Sequence, residues 1–278
     1  MHSANITVSD GAVLHYMESG SGQNMLMLSG GGFAVRSFKH QIEHFSQKMH
    51  VIALDKRGHG DSEKVVHGYR IARFAKDLHD VIEALGLDNI TLLAHSLGAA
   101  MVYAYIDLFG CDKLSKLIIV DEPPALLINP IWSEDERKSY GAIYDAASLH
   151  ELTNGFVGDD VEALNQKIVD VMTTQYATEE QKAFLRSCID IEGAAAQRLY
   201  LNNIMQDFRD VMEKITIPTL FITGDNSLHP PESHHWMHSK VPNSKLTLFS
   251  EKEGGNHFMF IENPEKFNEV VDKFISNS

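Results

Sequence analysis

The stretch Ile118–Leu127, IIVDEPPALL, is apolar up to two adjacent carboxylates, Asp121 and Glu122, and then turns into two prolines. Apolar residues in a row ahead of the pair read as a strand buried on both faces. A carboxylate taken out of water at the end of such a strand costs several kcal/mol unless it is paired, so one of the two needs a partner elsewhere. Two other residues stand where chemistry could be done. Ser96, in LLAHSLGAAM, lies between an apolar strand and a small-residue helix, and His257, in GGNHFMFIENPEKF, lies between a glycine turn and a final helix. Serine, histidine and carboxylate are the residue types of nucleophilic catalysis. A serine hydroxyl is a poor nucleophile at neutral pH and needs a histidine to take its proton. The histidine in turn needs a carboxylate on its other nitrogen to fix its tautomer and stabilise the imidazolium.

These residues are far apart in sequence, and the elements around them must bring them together. The chain has 278 residues, 44% hydrophobic and 22% charged, an ordinary globular balance with room for one large α/β domain carrying an added layer. NITVSDGAVLHYME reads as a hairpin turning at Asp10-Gly11. NMLMLSGGG and HVIALDKRGHGDSE are apolar strands running into glycine loops. Arg70–Leu85 repeats apolar residues at helical spacing, with Gly86 where a helix would end. Strand NITLLA, helix GAAMVYAYIDLFG and strand KLIIVDE follow. Strands alternating with helices predict a mostly parallel sheet covered on both faces. From about Pro123 to Lys214 the segments SEDERKSYGAIYDAA, DDVEALNQKIVDVMTTQY, TEEQKAFLRSCI and EGAAAQRLYLNNIMQDFRDVMEKI are all helical. The β pattern returns at IPTLFITGD and KLTLFSE before the closing helix ENPEKFNEVVDKFIS. The expected organisation is a core of 1–122 and 215–278 interrupted by a helical insertion, 123–214, over the sheet's edge.

Composition narrows the partners. Net charge is −14, which argues against nucleic acid and anionic membrane. No apolar run approaches the roughly 18 residues of a membrane span. The N-terminal MHSANITVSDGAVLHY lacks the basic-then-apolar order of a signal peptide. A soluble, cytoplasmic protein is expected, and Cys111 and Cys188 suggest no disulfide framework.

The motifs around the candidate residues resemble those of the α/β-hydrolase superfamily, in the right order over nearly the whole chain. AHSLG resembles the G-x-S-x-G nucleophile elbow, with Ala94 in place of the first glycine. The resemblance makes Ser96 the nucleophile, on a tight, strained strand-to-helix turn that its small neighbours allow. ALDKRGHGDS looks like the D-x-R-G-x-G-x-S loop, with Asp55, Arg57, Gly58, Gly60 and Ser62 in a structural role. LSGGGF falls where the family has His-Gly and the oxyanion-hole residue. Ser29 stands for the histidine, and the backbone N–H groups of Gly31 and Leu97 would receive the oxyanion. GGNHFMFIENPEKF resembles G-x-x-H-x-x-x-x-E-x-P and makes His257 the general base. The fold implied is the α/β-hydrolase fold with an inserted helical cap of four to five helices.

The acid is the open role. Most of the family places it three residues beyond the glycine that ends the strand after the cap. Here that position is Ser227, and Asp225 is only one residue past Gly224. Part of the superfamily, including some haloalkane dehalogenases and the zearalenone-type lactonases, takes the acid from the end of the strand after the nucleophile helix. Glu122 falls there, and Pro123 biases its backbone toward an extended direction. Successive strand side chains point to opposite faces, so only one of Asp121 and Glu122 readily reaches His257. Glu122 is the expected acid, Asp121 the fallback with a structural job, and Asp225 the third choice.

Other residues offer less. His234 and His238 at i, i+4, and likewise His40 and His44, have metal-compatible spacing but no accompanying carboxylate motif. Trp132, Tyr140, Tyr144, Phe156, Met172 and Met205 either line an apolar pocket or pack cap against sheet. The sequence thus predicts a serine hydrolase without cofactor or metal, cleaving an ester or lactone of a small, largely apolar molecule through an acyl-enzyme on Ser96. A small-molecule substrate is the expected partner, with no nucleic acid or membrane and with a homodimer left open. Two rivals keep the scaffold: a cofactor-free dioxygenase acting on a heteroaromatic substrate, and a non-catalytic ligand receptor.

Overall fold

A computed structural model describes residues 2–277; Met1 and Ser278, the outermost positions of the expected core, lie outside the described residues. Its strands are β1 (His2–Thr7), β2 (Val13–Ser19), β3 (Asn24–Leu28), β4 (His50–Leu54), β5 (Ile90–His95), β6 (Leu114–Val120), β7 (Thr219–Gly224) and β8 (Ser244–Phe249). They form one sheet in the order β1-β2-β4-β3-β5-β6-β7-β8. The hairpin β1–β2 and the pair β2–β4 are antiparallel, and every other pairing is parallel. β5 and β7 are buried at every position, as expected of strands covered on both faces.

Alternation along the strands divides the apolar interior into two layers. Leu26 and Leu28 face one, with Phe74, Leu78, Met101 and Tyr105. Met25 and Met27 face the other, with Phe38, Phe45, Phe260 and Phe267. The helices supplying these layers are α1 (Lys39–Phe45), α2 (Ile71–Ala84) and α3 (Leu97–Phe109). Next come α4 (Glu134–Tyr140), α5 (Ala146–Gly155), α6 (Val161–Val171), α7 (Glu179–Cys188) and α8 (Gly193–Ile204), which all lie between β6 and β7. α9 (Pro231–Lys240) links β7 to β8, and α10 (Met259–Glu262) and α11 (Pro264–Ser276) end the chain. α2 buries Ile71, Phe74, Ala75, Leu78, Val81 and Ile82, the stripe that predicted it.

The segment 133–147, expected as one helix, is two. α4 stops because Gly141 takes a left-handed φ of 80°, and its amide returns to the carbonyls of the last turn. Asp145 then caps α5 in a reciprocal box with Ser148. Segment 192–215 also divides, into α8 and a 3₁₀ turn at Arg209–Lys214.

One glycine fixes how closely α3 approaches the sheet. A Cβ on Gly98 would lie 2.6 Å from the Leu28 carbonyl oxygen and 2.7 Å from that of Ser29. Neither backbone oxygen can swing away, so Gly98→Ala is expected to destabilise the fold by about 1–3 kcal/mol, read as a lowered midpoint in thermal unfolding.

Candidate active site

Ser96 is the hinge between β5 and α3. It has φ 52° and ψ −134°, a conformation that L-residues seldom take, and such strain costs on the order of 1–3 kcal/mol and persists where the surroundings over-determine it. They do so here. The Ser96 amide donates to the Val120 carbonyl at 2.8 Å, tying the turn to the end of β6. His95 in front of it is buried and shares a hydrogen bond of 2.9 Å between Nε2 and the carbonyl of His257. Burial holds the His95 ring well below its ordinary pKa, so it is the neutral N–H that donates.

His257 is held from both sides of the molecule. Its amide donates to Met172 O at 3.2 Å, and the neighbouring Asn256 side chain donates to Val171 O and Thr173 O at 3.1 and 3.0 Å. Glu262 accepts from the Thr174 amide at 3.1 Å, which gives the glutamate of the C-terminal motif a physical task. The chain just after α6 is therefore stitched to the loop carrying the histidine. A Cβ on Gly224 would sit 2.2 Å from the Gly255 carbonyl carbon, so these two glycines let the end of β7 touch that loop.

The carboxylate that meets His257 is Asp121, not Glu122. Asp121 Oδ2 lies 2.6 Å from His257 Nδ1, and both side chains are buried. The same carboxylate accepts from Thr223 Oγ1 at 2.6 Å and from Ser227 Oγ at 2.6 Å. Burial opposes ionisation, but the bond and charge of His257 outweigh it and hold the acid well below the usual carboxylate range. An ionised carboxylate only accepts, so Nδ1 is the protonated nitrogen and Nε2 is left toward the cavity. The physical reason for the correction is the backbone at the strand end. Asp121 has φ 51°, which turns the chain after Val120 and sends Asp121 toward the end of β7 and Glu122 the other way. Ser227, in the seat where most of the family keeps its acid, instead donates to the acid next door. That serine together with Thr223 was the signal in the sequence. Asp225 is exposed, and its amide donates to Phe249 O at 2.9 Å, outside this cluster.

Glu122 is 2% exposed and accepts a 3.3 Å hydrogen bond from Asn203 Nδ2 in α8. Burial, reinforced by the charge of Asp121, pushes its pKa from 4.5 up to about 8. Between those two values the unfolded chain has lost the proton that the folded protein keeps, so the stability Glu122 allows at pH 4 is lost progressively as pH rises toward 8. Glu122→Gln removes that loss. The variant is expected to gain on the order of 3–4 kcal/mol over the parent between pH 4.5 and pH 7.5, at about 1.4 kcal/mol per pKa unit, as urea unfolding at the two pH values would measure.

The glycine loop between β3 and α1 is fixed by buried polar groups that the sequence reading did not single out. Lys56 is fully buried, and its Nζ donates to Ser29 O at 2.9 Å, Ser29 Oγ at 2.8 Å and Phe33 O at 3.3 Å. Burial lowers its pKa to about 7 against the pull of Asp55. The ring of His59 accepts from the Gly32 amide at 3.1 Å, and Tyr200 Oη donates to Gly31 O at 2.9 Å. The lysine thus binds both the carbonyl and the hydroxyl of Ser29 and holds the loop from inside. Behind them Asp55 accepts from the Val35 amide at 2.8 Å and pairs with His15, while Arg57 binds Asp77 and Asp10. Ser62 Oγ donates to Asp55 O at 2.6 Å. These bonds account for the D-x-R-G-x-G-x-S pattern as scaffold.

Ser96, His257, Gly31, Leu97 and Glu122 line one cavity. Its apolar wall includes Phe33, Leu126, Met172, Ile204 and Leu228, and Tyr144 and Tyr200 reach it from the segment between β6 and β7. Among the aromatic and methionine candidates, Tyr144 and Met172 line it, and Phe156 stacks on Tyr200 at 4.7 Å behind the wall. Trp132 and Tyr140 instead pack edge to face at 4.9 Å with the guanidinium of Arg209 4.5 Å from each ring, and Met205 is exposed. The histidine pairs do not converge as pairs. His234 is buried, whereas His238 bonds Ser244 Oγ at 2.8 Å, and His44 bonds Asp272 while His40 packs near Phe184. Two groupings not visible as sequence spacing do bring ligand atoms within 4.8 Å of one another: Asp121, His229 and His257, and His15, Asp55 and Asp61. In both, the carboxylate already accepts from a ring nitrogen of its histidine. No helix among the described residues is long and apolar enough to cross a membrane.

Fold and motifs converge on one class. The chain belongs to the alpha/beta hydrolase fold family, whose model matches residues 23–264. It is 27% identical to the non-heme chloroperoxidase CPO-A1 of Kitasatospora aureofaciens, over 97% of this chain and 98% of that protein. The crystal structure of a bromoperoxidase from Bacillus anthracis superposes with a TM-score of 0.90 at 26% identity, covering 99% of this chain and 100% of the other. An esterase from Exiguobacterium antarcticum shares the fold with a TM-score of 0.89 at 24% identity, covering 99% of each chain.

Proposed function

We propose that this protein is a serine hydrolase that cleaves an ester or lactone through an acyl-enzyme on Ser96. His257 Nε2 takes the Ser96 proton as Oγ attacks the carbonyl carbon, and the Gly31 and Leu97 amides receive the oxyanion. The proton passes to the departing alkoxide as the carbonyl–oxygen bond breaks, and water, deprotonated by the same nitrogen, releases the acid. Asp121 holds the ring in the tautomer this requires. Segment 123–214 acts as the cap, supplying Leu126, Tyr144, Met172, Tyr200 and Ile204 to an enclosed site suited to a small, largely apolar substrate.

The observation that carries this reading is the buried 2.6 Å contact between His257 and Asp121 beside a serine on a strained strand-to-helix turn. The esterase, with the same fold, is consistent with it. The test is hydrolysis of p-nitrophenyl acetate and butyrate by the purified protein. Turnover is expected and should survive dialysis against EDTA. Activity that disappears with chelator and returns with added zinc would overturn the reading, and so would oxygen uptake with a quinolone in place of ester cleavage.

A further inference from the structure

Glu122 has no task in that mechanism, yet it is a buried carboxyl lining the cavity that holds Ser96. Among the described residues no lysine or arginine lines this cavity. Its side chain accepts from the amide of Asn203 at 3.3 Å, a long bond, and Asn203 Oδ1 is buried with no partner among the described residues. Each of the two thus keeps hydrogen-bonding capacity to spare in the cavity that Ser96 also lines. We propose that Glu122 and Asn203 form a subsite that selects substrates carrying a neutral hydroxyl close to the scissile carbonyl.

The donor and acceptor count points to a hydroxyl. The remaining groups that face Glu122 leave it uncharged at neutral pH. Asp121, next in sequence, carries a negative charge, Tyr103 donates to the Glu122 backbone carbonyl, and Tyr144 and Tyr200 are phenols that burial keeps protonated. His229, across the cavity, is held neutral by burial, with its pKa driven down to about 3. A protonated Glu122 that accepts from Asn203 has an O–H left to donate, and Asn203 has a carbonyl left to accept. Turning the amide over exchanges the roles and still leaves one donor and one acceptor. A hydroxyl, which both donates and accepts, satisfies the pair. A methyl in its place leaves two buried polar groups unpaired, which is the strongest basis an enzyme has for rejecting an isostere.

This inference rests on the hydrolase reading, and the experiment separates the two. Matched esters are compared by kcat/KM: p-nitrophenyl 3-hydroxybutyrate against 3-methylbutyrate, p-nitrophenyl 2-hydroxypropanoate against 2-methylpropanoate, and 2-hydroxyethyl butyrate against propyl butyrate. In at least one pair the hydroxyl member should be preferred by about 10²-fold or more. Glu122→Met and Asn203→Leu should bring that ratio to within about threefold of unity while still turning over the methyl ester, which shows that the site is folded. The parent's preference should fall as pH rises above about 8, where Glu122 ionises. Glu122→Gln, which keeps a donor and an acceptor, should retain part of the preference without that pH dependence. Ser96-dependent hydrolysis with no hydroxyl preference, or with one that survives Glu122→Met, overturns the subsite and leaves the hydrolase intact. A larger preference for the amino analogue overturns it as well, by making Glu122 a cation site. Absence of Ser96-dependent hydrolysis for all six esters overturns both.

Discussion

Asp121→Asn is expected to lower kcat for p-nitrophenyl butyrate by about 10⁴, the loss produced by the analogous change in a serine protease, a known worked case. The side chain keeps its size, and with its NH₂ in the place of Oδ2, Thr223 can still donate to the amide oxygen while the Ser227 hydroxyl can turn to accept. What changes is the partner of His257 Nδ1. A carboxylate accepts from that nitrogen and leaves Nε2 free to take the serine proton. An amide that presents its NH₂ forces the proton onto Nε2, the wrong tautomer, and offers no charge to the imidazolium. The effect should fall on kcat far more than on KM, since Asp121 is buried beneath the histidine and away from the substrate. Asp225→Asn, at an exposed position outside the cluster, is the control expected to keep the parent kcat. If Asp121→Asn were healthy and Glu122→Gln dead, Glu122 would be restored as the orienting acid.

Ser96→Ala carries the larger effect. Removing the nucleophile of a comparable triad costs about 2 × 10⁶ in kcat, and deleting the other members in addition costs little more, because they act as a unit. A loss approaching that size is expected here, leaving only what the amides of the oxyanion site and binding provide. Ser96→Ala combined with Asp121→Asn should therefore be scarcely worse than Ser96→Ala alone. Additive losses would mean that Asp121 serves some step in which Ser96 has no part. Folding is checked by circular dichroism, and relief of the backbone strain at position 96 is not expected, because alanine at φ 52° is strained as well.

Much of this architecture was legible because it is local. The nucleophile turn is written in five residues, since only small neighbours admit a strained hinge, and Gly98 meets the Leu28 carbonyl as that pattern requires. The parallel sheet was legible from apolar strands alternating with helices. The hairpin at Asp10-Gly11 was legible from its turn residues, and Gly11 has φ 90°. The acid was not legible by the same route. Alternation along β6 correctly limits the choice to one of two neighbours, but a positive φ at Asp121 decides which, and periodicity carries no information on such a kink. The deciding contacts come from Thr223 and Ser227, more than a hundred residues away. Helix breaks at Gly141 and after Ile204 were missed for a related reason, as apolar spacing continues through both while caps and turns end the helices. Lys56 escaped notice because a lysine in a charged loop reads as solvated, whereas here three oxygens of the glycine loop hold it inside.

The most direct test of a Ser96 nucleophile activated through His257 and Asp121 is covalent trapping by a fluorophosphonate followed by intact-mass and peptide mass spectrometry. The parent protein is expected to gain one adduct, on the peptide containing Ser96. Asp121→Asn should label at least about 10²-fold more slowly, because its imidazole no longer draws off the serine proton, and Ser96→Ala should not label. An adduct that persists in Ser96→Ala, or labelling of Asp121→Asn at the parent rate, would contradict the account.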